Sequence, residues 1–133
     1  MIRMISGVAG GFVVWFVVAS IGNVLFRMSW PGYAQVEAAM TFTLAMLVGR
    51  LLLGVLSSLC GGFVVAWIAR GNATATWILG IVLTVFFVPV HYGLLDKFPI
   101  WYHLVFLASL LPVTLLGASL FVRSRRPLSS AQG

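Results

Sequence analysis

Two histidines lie on either side of a short polar turn, and this is the part of the chain where a ligand could bind. His91 precedes the turn that contains Asp96, and His103 follows it. Imidazole and carboxylate groups ligate metals, paired histidines ligate haem iron, and a histidine can donate to a quinone oxygen. We therefore take His91, His103, Asp96, Arg50 and Tyr102 as candidate ligand-binding residues, with the two histidines as metal ligands only if a metal is present.

The spacing of these residues matches no established metal-binding or catalytic pattern. The chain has no histidine pair four residues apart and no Cys-x-x-Cys, which are the spacings typical of metal sites. Ser109 and Thr114 lie in apolar sequence without a base beside them, so neither is a good nucleophile. We expect no enzymatic activity and assign no cofactor. The alternative, that the histidines cap helix ends near water and Tyr102 belongs to an interfacial aromatic belt, stays open.

Four long apolar stretches must position these residues. They cover residues 4–26, 51–69, 71–95 and 98–122, and each supplies the ~20 residues that a helix needs to cross a bilayer. The whole chain is 62% hydrophobic and 8% charged, whereas a soluble domain averages about 25% charged residues. The sequence predicts one all-α domain over 1–133, an integral membrane antiparallel four-helix bundle in contact with lipid.

The second of these helices is expected to be the longest. We predict helices over about residues 5–26, 34–69, 77–95 and 100–122, followed by a basic and then disordered cytoplasmic tail over 123–133. No helix breaker occurs between Tyr33 and Gly49, so the second helix extends to roughly 54 Å at 1.5 Å per residue. That exceeds the ~30 Å hydrocarbon core, and the helix must tilt or begin outside the membrane.

Arg50 decides how this second helix sits in the bilayer. It lies about 30 Å along a helix from Arg70, so the two mark opposite interfaces if the helix is continuous. In one interpretation Arg50 snorkels to the interface. In the other it turns inward and pairs with Glu37, Asp96 or a ligand. The sequence leaves both interpretations open.

The distribution of basic residues predicts the orientation. One side of a four-span chain carries five arginines and no acidic residue: Arg3, Arg70, Arg123, Arg125 and Arg126. On the other side Arg27 and Lys97 are offset by Glu37 and Asp96. The positive-inside rule then places both termini in the cytoplasm, and we expect the inner membrane of a bacterium. The net charge of +6 does not indicate nucleic-acid binding, because the basic residues form no stripe.

Small residues four positions apart predict where the helices pack. They are Gly7 and Gly11 in the first helix, and Gly54, Ser58 and Gly62 in the second. Such spacing lets helix backbones approach closely in lipid. The string Gly-Gly-Phe-Val-Val also occurs twice, at 10–14 and 61–65. We expect both glycine pairs to lie between the first and second helices.

Two segments resemble a family of small bacterial four-helix inner-membrane proteins. One is Phe98 to Leu104 (Phe-Pro-Ile-Trp-Tyr-His-Leu), followed by Pro112 and Gly117, and the other is 61–70. The resemblance covers nearly the whole chain. It implies a membrane location and a four-helix fold, and it implies no activity and no functional residues.

These observations favour a non-enzymatic integral membrane protein. The main hypothesis is an accessory or stabilising subunit of a larger membrane complex, or a homo-oligomer, because the chain is short and carries small-residue faces. The alternative is a protein that binds a ligand or redox cofactor (metal, haem or quinone) through the layer of histidine, aspartate and arginine on the outer side. A third class is an oligomeric channel or small transporter.

Overall fold

The computed structural model describes residues 1–126, and this part of the chain is helical without strands. It contains five helices: α1 (Ile2–Ser29), α2 (Tyr33–Ala39), α3 (Leu44–Ile68), α4 (Ala73–Tyr92) and α5 (Ile100–Ser124). All except the short α2 are long and apolar enough to cross a membrane. The prediction of an all-α chain with four apolar spans is confirmed. Residues 127–133 of the predicted tail lie outside the described residues.

Side-chain caps set where α3 and α4 begin. Thr43 Oγ1 accepts a hydrogen bond from the Met46 backbone N–H at 3.3 Å, and Asn72 Oδ1 accepts one from the Ala75 N–H at 3.3 Å. Each cap satisfies a backbone donor that has no partner within its helix. The cap at Asn72 explains why α4 begins at 73 and not near 77, where the apolar pattern placed its start.

The predicted helix over 34–69 is divided into α2 and α3, which corrects the expectation of one continuous helix. Met40 adopts a left-handed backbone with φ of 56°, and the Thr41 N–H donates to the Val36 carbonyl at 3.0 Å, which closes α2. Thr43 then caps α3. With its 25 residues, α3 measures about 37 Å, and this suits the ~30 Å core better than the continuous helix would.

The ends of the other helices also differ from the predicted bounds. α1 covers 2–29 and ends just before Trp30-Pro31, since the residue before a proline avoids helical backbone. α4 ends at Tyr92 and not near 95, because 93–98 fold as turns in which the Phe98 N–H donates to the Leu94 carbonyl at 3.2 Å. α5 continues to Ser124, so the predicted tail begins later than 123.

Glycines allow α1 and α3 to approach closely. A Cβ atom built on Gly11 would lie 2.8 Å from the Gly61 carbonyl oxygen, and one on Gly61 would lie 3.0 Å from the Gly11 oxygen. A Cβ on Gly7 would lie 3.1 Å from the Val65 oxygen. These separations are shorter than ordinary contacts, so any larger residue would push the two helices apart.

Of the other predicted small residues of α3, Gly54 and Gly62 pack against α5, whereas Ser58 accepts a hydrogen bond from Trp15 of α1. A Cβ on Gly62 would overlap the Thr114 carbonyl oxygen, and one on Gly54 would lie 3.0 Å from the Phe106 ring. The expectation that both glycine pairs lie between the first two predicted spans therefore holds for Gly10, Gly11 and Gly61 and is wrong for Gly62. Adjacent residues on a helix point about 100° apart, so Gly61 faces α1 while Gly62 faces α5.

Candidate functional site

Arg50 points into the helix bundle and binds polar side chains from three other helices. Its Nη1 donates to the Tyr33 hydroxyl of α2 at 2.9 Å and to Asn23 Oδ1 of α1 at 3.4 Å. Its Nε donates to the Tyr102 hydroxyl of α5 at 3.4 Å. Tyr33 also donates to Asn23 Oδ1 at 3.2 Å. We call these four residues the Arg50 cluster.

The break between α2 and α3 makes this cluster possible. Because the chain turns back at 40–43, α2 carries Tyr33 into the bundle, where it is fully buried. Its ring lies 5.4 Å from the Phe26 ring and 5.5 Å from the Phe42 ring, between centroids. Phe42 also places its ring centroid 4.7 Å from Arg50 Cζ, which is within range for a cation–π interaction.

No carboxylate of residues 1–126 forms a salt bridge with Arg50. Glu37 Oε1 accepts from Arg27 Nε at 2.6 Å, and Asp96 is exposed and forms no salt bridge within residues 1–126. Since these are the chain's two acidic residues, the pairing of Arg50 with Glu37 or Asp96 does not form. Its inward orientation agrees with the second interpretation of the sequence, and the pairing with a ligand stays a prediction.

Arg50 also retains unused donors. Nε and Nη1 make the hydrogen bonds described above, and Nη2 makes none with the described residues. In the described chain, His103 Nε2 is the only buried side-chain nitrogen or oxygen that lacks a hydrogen-bond partner. Nη2 of Arg50 also lacks a partner, but it is not among the buried atoms. The two N–H groups of Nη2 are therefore not fully enclosed by the described residues.

A cavity of about 230 Å³ lies beside the Arg50 cluster. Its polar lining comes from Asn23, Arg50, Tyr102 and His91. Its aromatic lining comes from Trp15, Phe16, Phe87, Phe98 and Phe106. Ser20 of α1 and Val90 of α4 also line it and are exposed on the helix surfaces, so the mouth of the cavity lies between α1 and α4.

The two histidines form a buried pair at this cavity. The Nδ1 atoms of His91 and His103 are 2.6 Å apart, and both side chains are nearly inaccessible. One Nδ1 must carry the proton that the other accepts. His91 lines the cavity and stacks on Phe106 with centroids 4.5 Å apart. His103 lies behind it with Nε2 buried and unpaired. The interpretation of these histidines as helix caps in contact with water does not describe this arrangement.

The two Nδ1 atoms are placed for a hydrogen bond and are too close together to ligate one zinc ion. Two ligand atoms of a tetrahedral zinc ion lie about 3.3 Å apart, because each bond measures about 2.0–2.1 Å, whereas these nitrogens are 2.6 Å apart. In residues 1–126 no group of three histidine, cysteine, aspartate or glutamate side chains is close enough to hold a metal. Asp96 does not join the pair.

Sequence reasoning missed two members of the cluster. Asn23 is a polar side chain in an apolar span, and such residues usually face the bundle interior, so its type gave a usable signal. Tyr33 follows Trp30-Pro31-Gly32 and reads as an interfacial anchor. No local pattern indicated that the chain would fold back and bury it.

No family model matches this chain, and no curated protein or solved structure matches it either. The resemblance to small bacterial four-helix inner-membrane proteins stays a prediction.

Proposed function

We propose that this chain is a non-enzymatic, multi-pass membrane protein that binds a small amphiphilic organic anion in the Arg50 cavity. The observation that carries the proposal is Arg50 itself, a cation in a helix long and apolar enough to span a membrane, with no carboxylate partner in residues 1–126 and with a cavity beside it. Ionisable groups in such helices usually mark binding sites or transport pathways.

We further propose an antiparallel bundle in a bacterial inner membrane, with both termini in the cytoplasm. Contacts between α1 and α3 support the antiparallel arrangement, because Gly7 approaches Val65, Gly11 approaches Gly61, and Asn23 binds Arg50. The residue numbers on the two helices run in opposite directions along this interface. The positive-inside rule supports the placement of the termini. In this orientation the Arg50 cavity lies in the outer half of the membrane.

The electrostatics of the cavity favour an anionic ligand. An arginine at the centre of a membrane helix costs ~2.5–3.5 kcal/mol on insertion scales. Arg50 lies in the second turn of α3, where the cost is smaller, and the neutral oxygens of Tyr33, Asn23 and Tyr102 offset only part of its positive charge. A carboxylate on Nη2 would make charge-assisted hydrogen bonds, which are roughly twice as strong as neutral ones. His91 offers a further polar group on the same wall.

The size and lining of the cavity favour a single ring. An apolar cavity of about 150 Å³ holds benzene, and this cavity of about 230 Å³ has room for a ring that carries a carboxylate. Trp15, Phe87 and Phe106 offer aromatic faces for offset or edge packing with such a ring. The volume is too small for a haem. A quinone head group fits by size, but its neutral carbonyls would leave the charge of Arg50 uncompensated.

The test compares benzoate with benzamide, which has a similar shape and no charge. We expect calorimetric titration of the purified full chain in detergent to show benzoate binding about tenfold tighter, because only benzoate places a negative charge against the guanidinium of Arg50, and a tenfold ratio corresponds to ~1.4 kcal/mol. Arg50→Gln should remove this preference and Arg50→Lys should keep part of it. Arg27→Gln is the matched control, since Arg27 is outside the cavity.

Two outcomes would contradict the proposal. One is equal affinity for benzoate and benzamide in the unmodified protein, and the other is unchanged benzoate binding in Arg50→Gln. A short-chain quinone serves as a third probe. If the quinone binds more tightly than benzoate, the cavity is a quinone-binding site and the anion proposal is wrong.

The accessory-subunit, homo-oligomer and channel hypotheses stay predictions. α1 leaves a row of apolar side chains exposed, among them Val13, Val17, Ile21 and Val24, and these residues can contact lipid or another protein. Native mass spectrometry of the protein extracted from its own membrane distinguishes contact with lipid from contact with another protein, because a stable partner protein would remain bound in mild detergent.

A further inference from the structure

The end of the bundle where α3 and α5 finish carries a second polar site. A cleft of about 550 Å³ lies there, lined by Trp67, Arg70, Phe121, Val122 and Arg125. We propose that this cleft binds an anionic phospholipid, with its phosphate on Arg70 and Arg125 and its glycerol and upper acyl region on Trp67 and Val122. This site is separate from the Arg50 cavity and does not depend on the function proposed for it.

The charge distribution at this end favours a phosphate. Both acidic residues of the chain lie elsewhere, Glu37 on α2 and Asp96 in the turn before α5. In the described part of the chain, neither Arg70 nor Arg125 forms a salt bridge. The planar guanidinium group matches the oxygens of a phosphate and can donate two parallel hydrogen bonds to them. Two arginines at one cleft therefore form a suitable phosphate site.

The backbone at the end of α3 determines where the Arg70 side chain lies. Arg70 adopts φ of 56°, and Gly71 follows with φ of 77°. The Gly71 N–H donates to the Ala66 carbonyl at 2.7 Å, which closes the end of α3. A left-handed residue at the end of a helix is usually glycine or asparagine, because other side chains strain this backbone. Met40, which ends α2, has the same φ, so this backbone marks the end of a helix, and the turn places the Arg70 side chain at the cleft.

Arg125 is held over the apolar part of the cleft. Its Cζ lies 5.3 Å from the centroid of the Phe121 ring, and that ring packs edge-on against Phe63 with centroids 5.4 Å apart. The guanidinium is therefore positioned beside an aromatic surface at the exposed C-cap of α5, and none of residues 1–126 accepts a hydrogen bond from it.

The apolar lining identifies a lipid as the source of the phosphate. Trp67 is 57% exposed and Val122 is 40% exposed, so a free phosphate ion would leave both uncovered. Tryptophan is enriched at the level of lipid head groups, and basic pockets between membrane helices bind anionic lipid head groups. A phospholipid covers the apolar residues and pairs with the arginines at the same time.

The test measures lipid selectivity on the full chain. Delipidated protein is exposed to equimolar palmitoyl-oleoyl phosphatidylglycerol and phosphatidylcholine, and native mass spectrometry counts the lipids retained. We expect phosphatidylglycerol to be preferred, and Arg70→Gly to lower the preference about fivefold. Arg70→Lys should keep part of it. Arg3→Gln is the matched control, because Arg3 is a basic residue outside the cleft.

Thermal unfolding separates lipid recognition from a structural role. Arg70→Gly should unfold at the same temperature as the unmodified protein or a higher one when lipid is absent, because glycine relieves the strained backbone. Should this variant fail to fold, the exposed Arg125→Gln gives the same test of selectivity.

Three results would overturn the proposal. The first is an unchanged preference for phosphatidylglycerol in Arg70→Gly or Arg125→Gln. The second is an equal loss in Arg3→Gln, which would indicate a diffuse surface potential and no specific cleft. The third is release of the bound lipid by excess inorganic phosphate, which would reassign the site to the free ion.

Discussion

Gly62→Ala tests whether α3 and α5 are held at their close separation by the absence of a side chain. The new Cβ atom would overlap the Thr114 carbonyl oxygen and would lie 2.9 Å from the Thr114 carbonyl carbon and 3.1 Å from the Ala118 nitrogen. All three are backbone atoms of α5, so no side-chain rotation relieves the clash. The helix must retreat by about 1 Å to restore ordinary contact distances.

This retreat should destabilise the protein by about 1–2 kcal/mol. Overpacking a well-packed interior costs about 1–3 kcal/mol, and replacing a helical glycine with alanine returns about 0.5–1 kcal/mol. The same interface is also tight at Gly117, where a Cβ would overlap the Leu59 carbonyl oxygen. The contacts at Gly117 are therefore lost as well when α5 moves away from α3. The assay is reversible unfolding in mixed micelles of a mild detergent and dodecyl sulfate, followed by circular dichroism.

Gly10→Ala is the matched control. Its Cβ atom would meet the tip of the Ile68 side chain at 2.6 Å, with Val64 next at 3.8 Å, and both are side-chain atoms. Rotation of Ile68 relieves this contact, so we expect no loss of stability and a gain of up to about 1 kcal/mol from helix propensity. The reasoning is refuted if Gly62→Ala is as stable as Gly10→Ala.

Two further predictions concern single interactions. Trp15 Nε1 donates to Ser58 Oγ at 3.0 Å in the interior, so Trp15→Phe should lower the free energy of unfolding by about 1 kcal/mol. A double-mutant cycle with Ser58→Ala isolates the energy of this hydrogen bond. If Trp15→Phe costs as much in the Ser58→Ala background, the cost comes from packing and not from the hydrogen bond. The ion pair between Arg27 and Glu37 is 50% and 24% exposed. Arg27→Gln should therefore change the free energy of unfolding by less than ~1 kcal/mol, with a smaller effect at high salt, and an effect independent of salt would contradict this.

Part of the candidate site was predictable from residue types. Arg50 and His91 are unusual within apolar spans, and both line the same cavity together with Tyr102. His103 lies directly behind His91. Asp96 was chosen for its closeness in sequence, but it is exposed in the turn. An aspartate in a polar turn can be solvated at little cost, so nothing forces it into the interior.

The break within the predicted second helix could not be predicted from the local sequence. Met40 has good helix propensity, and only its left-handed backbone ends α2. The advantage of the break comes from distant partners, because it lets Tyr33 reach Asn23 and Arg50. Propensity is a weak preference that such contacts readily override.

The order of apolar and polar residues along the chain accounts for the four apolar helices and for the concentration of acidic and histidine residues near one end of the bundle. In hydrocarbon each backbone polar group must be satisfied within its own segment, so a long apolar stretch becomes a helix whatever surrounds it. The partners of each side chain follow from how the helices rotate against one another. Neighbouring residues on a helix point about 100° apart. The close packing at Gly61 and Gly62 therefore fixes which helix each face of α3 contacts, and this rotation of α3 places Arg50 at the cavity.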